Sequence, residues 1–229
     1  MIRAVLWDLD GTLLNFKAAE SAAIKKCFRA FGFGECSDEA VARYSAINTR
    51  HWEMLERGER TRAEILQGRF EQFLASCGAD PTRAEAFNLA YEAALTDTVE
   101  FMPGAKETVE ALHGRYVQCI ITNGNAVVQH PKLARSGLDR WMEHIFISEE
   151  LGAEKPSKAF FDIVLAALDL APEECLVVGD SLTSDMRGGV NAGMHICWYD
   201  PSGAENHTEV SPDRRITRIE EVCAVIQEM

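Results

Sequence analysis

The stretch Ile2-Arg3-Ala4-Val5-Leu6-Trp7-Asp8-Leu9-Asp10-Gly11-Thr12-Leu13 decides the fold. Its first half is short, apolar and rich in residues that favour extended structure (Ile2, Val5, Leu6, Trp7), as in a strand buried on both faces. It stops abruptly in two acids, a glycine and a threonine. Carboxylates are costly to bury unless they are paired or bound to a metal. Open α/β sheets bind ligands beyond the carboxyl ends of their strands. Alternate residues of a strand face the same way, so Asp8 and Asp10 are placed to face one ligand. Asp-Gly is also a common turn dipeptide; the other strand ends must decide between a site and a plain turn.

After Leu14 the character changes to long helical stretches. Ala18 to Phe31 carries apolar residues at helical spacing until Gly32-Phe33-Gly34 breaks it. Ser37 is a candidate cap for a second helix running to about Arg57. Thr61-Arg62-Ala63-Glu64 reads as a capping box opening a third, through Ser76, and Asp80-Pro81 starts a fourth, to about Leu95. No strand is expected in this region. From Met102-Pro103-Gly104 strands and helices alternate. Strands are expected at Val117–Ile121, His144–Ser148, Cys175–Val178 and His195–Tyr199. Helices are expected at Ala105–Tyr116, Lys132–Ser136, Lys158–Leu168 and Thr183–Ala192, with a terminal helix from Ile219. Asp200 to Arg215 reads as a polar loop, the least ordered-looking segment. This pattern implies an α/β fold, a Rossmann-like, doubly wound parallel sheet. Residues 1–14 and 100–229 are expected to form that core, and residues 15–99 an inserted α-helical domain.

The later strand ends supply the partners. Val117–Ile121 runs into Thr122-Asn123-Gly124, whose hydroxyl, amide and backbone N–H groups suit phosphate oxygens. Lys155-Pro156 lies just before a helix, where Lys155 could pair with Asp8 and a phosphoryl group. Cys175–Val178 ends in Gly179-Asp180, with Asp185 five residues on. Mg²⁺ prefers a few carboxylates, retained waters and substrate oxygens. The expected set is the Asp8 carboxylate, the Asp10 carbonyl and Asp180, with Asp185 bound directly or through water. An ionised Asp8 could then attack phosphorus while Asp10 protonates the leaving oxygen.

Net charge is −13 and the isoelectric point about 4.9, which argues against a nucleic-acid polymer as partner. The seven cysteines are scattered, with no C-x-x-C pair, and read as reduced thiols rather than a disulfide or zinc framework. The chain enters a strand at once without a signal peptide, and no apolar run approaches the ~20 residues needed to span a bilayer. A cytoplasmic protein without a membrane partner is expected, either a monomer or a homodimer.

Taken together, Asp8-Leu9-Asp10-Gly11-Thr12, Thr122-Asn123-Gly124, Lys155-Pro156 and Gly179-Asp180-x4-Asp185 resemble the four motifs of the haloacid dehalogenase (HAD) superfamily. The resemblance covers essentially the whole chain and implies that the helical insertion, residues 15–99, is a cap domain. It implies a two-step, Mg²⁺-dependent phosphatase in which Asp8 forms an aspartyl-phosphate and Asp10 serves as acid and then base. Thr122 and Lys155 would hold phosphate oxygens, with Asn123 and Gly124 beside them. The acid at position 10 favours phosphate esters over carbon–halogen bonds. The segments Tyr44–Gly58, Ile65–Phe70 and Ile147–Pro156 resemble those of bacterial pyrimidine-nucleotide 5′-phosphatases, implying a nucleoside monophosphate substrate. Asn48, with Asn15, Arg50 and Arg69, is a polar candidate to face it, whereas Trp52, Leu55, Phe70 and Phe73 read as helix packing. A phosphatase or mutase for phosphoglycolate or a sugar phosphate shares the same core residues. A non-catalytic phosphate-binding regulator would be expected to have lost one of them.

Overall fold

The computed structural model describes residues 1–229 as two compact units, one of residues 1–15 and 99–229, the other of residues 16–98. The second unit is all helix: α1 (Phe16–Ala30), α2 (Asp38–Glu56), α3 (Arg62–Ser76) and α4 (Ala84–Leu95). Its helix starts follow local chemistry. The Ser37 hydroxyl accepts from the Ala40 N–H at 3.2 Å. Thr61 and Glu64 close a reciprocal capping box, with Thr61 N–H donating to Glu64 Oε2 at 2.8 Å. Asp80 caps the short turn that leads into α4.

An aromatic cluster of Tyr44, Phe70, Phe73, Phe87 and Tyr91, all fully buried, fills this unit's centre. A polar chain runs beside it. Asn48 donates to Glu20 Oε1 at 3.0 Å, Arg69 donates to Asn48 Oδ1 at 2.9 Å, and its other terminal nitrogen donates to Asn88 Oδ1 at 2.7 Å. The guanidinium also lies over the rings of Phe70 and Tyr91. Burial pushes the Glu20 carboxyl above its ordinary range, against the pull of its hydrogen bonds and of Arg69.

The first unit is a six-stranded parallel sheet flanked by helices. Its strands are β1 (Ala4–Trp7), β2 (Val117–Thr122), β3 (His144–Ile147), β4 (Cys175–Gly179), β5 (His195–Tyr199) and β6 (Arg214–Ile216), in the order β3-β2-β1-β4-β5-β6. The helices are α5 (Ala105–Leu112), α6 (Ala126–Ser136), α7 (Ser148–Leu151), α8 (Lys158–Leu168), α9 (Arg187–Ala192) and α10 (Val222–Glu228). The alternation of β1 separates two cores. Val5 and Trp7 join Val109, Leu112 and Val225 on one face, and Ala4 and Leu6 join Phe160, Phe161 and Val164 on the other.

Three expectations needed correction. Helix α6 begins at Ala126, six residues before the expected start, and carries Pro131 inside it. Proline removes one internal hydrogen bond, but Val128, Gln129, Lys132 and Leu133 are all buried along this helix, and that packing overrides the local signal. The 200–215 segment ends in a strand, β6, because Arg215 meets the Asp200 carboxylate and stacks its guanidinium 4.6 Å from the Trp198 ring centre. Leu182–Met186 forms a π-helical turn ahead of a shorter α9.

Beneath β1, the Trp7 indole N–H donates to Gln118 Oε1 at 3.1 Å, and Gln118 Nε2 donates to the Val109 carbonyl at 3.0 Å, all inside the core. Gln118→Leu keeps most of the volume but strands the indole N–H. A loss of about 1–3 kcal/mol is expected, lowering the melting temperature by several degrees; unchanged thermal and urea unfolding would show that Trp7 has another acceptor.

Candidate active site

The strand order turns back at β1: the chain goes from β1 outward to β2 and β3, then returns to β4 on β1's other side. Trp7 pairs in register with Ile120 on one side and Val178 on the other. The residues that follow these three positions therefore emerge together at the switch point, where such sheets bind ligands.

Asp8 is buried at this point. Its Oδ1 accepts from Lys155 Nζ at 2.8 Å and its Oδ2 from the Thr12 hydroxyl at 3.1 Å. Lys155, 2% exposed, spends its other N–H donors on Asp185 Oδ1 at 2.6 Å and the Ile121 carbonyl at 2.8 Å. Asp185 Oδ2 in turn accepts from the Ser181 N–H at 3.2 Å. Desolvation pushes the Asp8 carboxyl up to about 7, the nearby Asp185 and Asp10 adding to the rise while Lys155 opposes it. Lys155 responds differently: burial favours its neutral form, but Asp185 and Asp8 outweigh that and raise its pKa.

Asp180 follows β4. Desolvation, then Asp8 and Asp185, push it well above the ordinary carboxylate range. The residue keeps solvent-exposed surface, so water relieves part of the desolvation and the repulsion between carboxylates is the firmer cause. Gly11 makes this approach possible. Its φ of +103° lies in the region that favours glycine, and a Cβ there would sit 2.4 Å from Asp180 Oδ2.

The oxygens of Asp8, Asp180 and Asp185 lie within 4.8 Å of one another. Three ionised carboxylates against one ammonium leave two negative charges, which a divalent cation balances. An all-oxygen donor set suits a hard ion such as Mg²⁺. The residues fit the metal.

Asp10 sits apart from that cluster. Lys132 Nζ donates to its Oδ1 at 2.6 Å and Gln129 Nε2 to its Oδ2 at 2.7 Å, and the same Nε2 lies 2.9 Å from Thr122 Oγ1. Neither Gln129 nor Lys132 was evident from the sequence, because Pro131 between them disguised the helix that carries both. Their i, i+3 spacing on one helical face was the available signal.

Lys155, Asp180 and Asp185 thus converge on Asp8, while Thr122 is linked to Asp10 through Gln129 Nε2. Asn123 has a different place: its Nδ2 donates to the Lys155 carbonyl at 2.8 Å and its Oδ1 accepts from the Lys155 N–H at 2.9 Å, fixing the lysine's backbone. The Gly124 N–H donates to Thr122 Oγ1 at 3.1 Å. Asn48 and Arg69, expected to face substrate, lie inside the helical unit in the polar chain described above, whereas Arg50 is exposed.

Comparison with known proteins gives a consistent picture. The haloacid dehalogenase-like hydrolase family matches residues 2–193. The crystal structure of the HAD-hydrolase YfnB from Bacillus subtilis, bound to magnesium, superposes with a TM-score of 0.93 at 31% identity, covering 98% of each chain. The pyrimidine 5′-nucleotidase PynA of Streptococcus pneumoniae is 32% identical over 91% of this chain and 88% of its own. The pyrimidine 5′-nucleotidase YjjG of Escherichia coli is 29% identical over 95% of each.

An acid whose pKa is raised by folding contributes stability that is fully present below its unfolded pKa and lost as pH rises through the folded one. For Asp8 that window runs from its ordinary 3.8 to about 7. In EDTA, Asp8→Asn should therefore gain melting temperature relative to wild type as pH rises through this window. With Mg²⁺ the ionised Asp8 becomes a ligand and the wild type should recover the advantage. Parallel pH profiles for the two proteins in EDTA would contradict the assignment.

Proposed function

The chain belongs to the haloacid dehalogenase-like hydrolase family and is a phosphatase, and we propose that it is a Mg²⁺-dependent hydrolase of phosphomonoesters acting through an aspartyl-phosphate on Asp8. The observation that carries this reading is the separation of two carboxylates from one strand end into opposite surroundings. Asp8 lies in the Lys155–Asp185–Asp180 cluster, and Asp10 lies outside it in the grip of Lys132 and Gln129. Such a split suits two different roles.

Mg²⁺, held by the carboxylates of Asp8, Asp180 and Asp185 and the carbonyl of Asp10, would offset phosphate charge and keep Asp8 ionised. Asp8 attacks phosphorus, the bond to the ester oxygen breaks, and that oxygen takes the proton of Asp10. Asp10, now a carboxylate, takes a proton from water as the water oxygen attacks phosphorus and the bond to Asp8 breaks. Thr122 and Lys155 hold phosphate oxygens, with Asn123 keeping Lys155 in place. Ester and water go in; alcohol and phosphate come out.

For the substrate we infer a nucleoside 5′-monophosphate with a pyrimidine base. The named activities of PynA and YjjG support this. The core motifs read only the phosphate, so base preference belongs to residues outside them. A cytoplasmic setting is supported by the seven cysteines, all free thiols.

The test is phosphate release from UMP, dUMP, dTMP, AMP, GMP, phosphoglycolate and sugar phosphates, with Mg²⁺ and with EDTA. Pyrimidine nucleotides should turn over best, EDTA should abolish turnover, and Asp8→Asn should lower kcat by at least about 10³-fold. A preference for phosphoglycolate or a sugar phosphate would keep the chemistry and discard the nucleotide. Turnover surviving both EDTA and Asp8→Asn would sink the mechanism.

A further inference from the structure

We propose that Lys132 and Gln129 are the positioning residues of Asp10, holding it for both of its proton transfers; this rests on the hydrolase reading above. Three independent features of the structure converge on the pair.

Both Asp10 carboxylate oxygens accept hydrogen bonds from one helix face, Oδ1 from Lys132 and Oδ2 from Gln129. Lys132 is 2% exposed. Burying an ammonium is expensive and returns little stability even when it is paired, so a buried lysine directed at a catalytic carboxyl is better explained by the reaction than by the fold. Gln129 also joins Asp10 to Thr122 through one nitrogen, which ties the proton-transfer group to a phosphate-holding hydroxyl.

The backbone has made room for this. A Cβ on Gly124 would lie 1.8 Å from Gln129 Nε2 and 2.5 Å from its Cδ, so any other residue at position 124 would push the amide off Asp10. Gly124 thus belongs to the site through what it leaves open.

Gln129 Oε1 is buried with no hydrogen-bond partner. An orphaned buried acceptor is rare and costly. Here it sits on an amide whose neighbour must be an acid in one step and a base in the next. An amide donates to Asp10 as a carboxylate and, turned over, accepts from Asp10 as an acid, while the Thr122 hydroxyl can serve either orientation. Lysine alone could not do this, because it only donates.

The chemistry assigns the pair a specific signature. A p-nitrophenolate leaving group departs without a proton, whereas a nucleoside alkoxide needs one. Hydrolysis of the aspartyl-phosphate needs Asp10 as base whichever ester formed it. A misplaced Asp10 therefore slows both steps for a nucleotide but only the second for p-nitrophenyl phosphate.

Wild type, Asp10→Asn, Lys132→Met, Lys132→Arg and Gln129→Leu would be assayed as the whole 229-residue chain with Mg²⁺, on UMP as the nucleotide and on p-nitrophenyl phosphate. Lys132→Met should lower kcat on the nucleotide by about 10–100-fold with KM within about threefold. On p-nitrophenyl phosphate it should give a stoichiometric burst of p-nitrophenolate, with phosphorylated protein visible by intact mass. Lys132→Arg should largely remove the burst, and Gln129→Leu should show the same pattern more weakly. Wild-type kcat in both Lys132→Met and Gln129→Leu, or slowing without a burst, would overturn the inference. Gln129→Leu decides alone if Lys132→Met fails to fold by circular dichroism. An inactive wild type would overturn the hydrolase reading and this inference with it. An active wild type with inactive Asp10→Asn and unaffected Lys132→Met and Gln129→Leu would overturn this inference only.

Discussion

The site depends on one buried ammonium. Lys155 holds Asp8, Asp185 and the Ile121 carbonyl with its three N–H donors, and it does so almost completely out of water. Its partners do not benefit equally. Lys155 has two carboxylates to offset its burial and stays charged, whereas Asp8 has one ammonium to set against burial and other carboxylates. The cluster is thus unevenly neutralised, and the ionised forms of Asp8 and Asp180 are the ones its surroundings disfavour. Ion pairs of this kind contribute little to stability, so the cluster is understood through the cation and the phosphate it can accept.

That ammonium is placed by an element distant in sequence. Asn123, at the end of β2, bonds both backbone groups of Lys155 and so fixes the loop that precedes α8. Asp185 reaches the same nitrogen from the π-helical turn after β4. Such turns often mark functional positions in helices. Here the turn lets Ser181 cap the Ser184 N–H while its own N–H holds Asp185. Parallel pairing brings the strand ends together, and short side-chain to backbone bonds set the final positions.

Much of this was legible in the sequence, for identifiable reasons. Buried parallel strands announce themselves as apolar runs, and acids at their ends stand out because burial there demands a partner. The caps at Ser37, Thr61 and Asp80 are local chemistry and were readable as such. What failed depended on contacts distant in sequence. A proline argued for a late start to α6, yet docking against the sheet placed it at the sixth position of the helix. Strand β6 exists because Arg215 meets Asp200 and Trp198, a link invisible in a run of polar residues. Gln129 and Lys132 were missed for the first of these reasons.

Asn48 and Gln129 show why polar residues are hard to assign from sequence. Both are buried amides on helices. Asn48 uses its nitrogen on Glu20 and its oxygen on Arg69, within a chain that continues to Asn88. Those bonds offset the burial of a carboxylate and a guanidinium, and the aromatic faces of Phe70 and Tyr91 add to the cation's stabilisation. Gln129 spends its nitrogen on two residues of the site and leaves its oxygen unpaired. Residue type and helical position do not distinguish the two. The difference lies in how completely the fold satisfies each amide, so Asn48 is explained by its own helical unit, whereas Gln129 retains a buried acceptor beside groups that must exchange a proton.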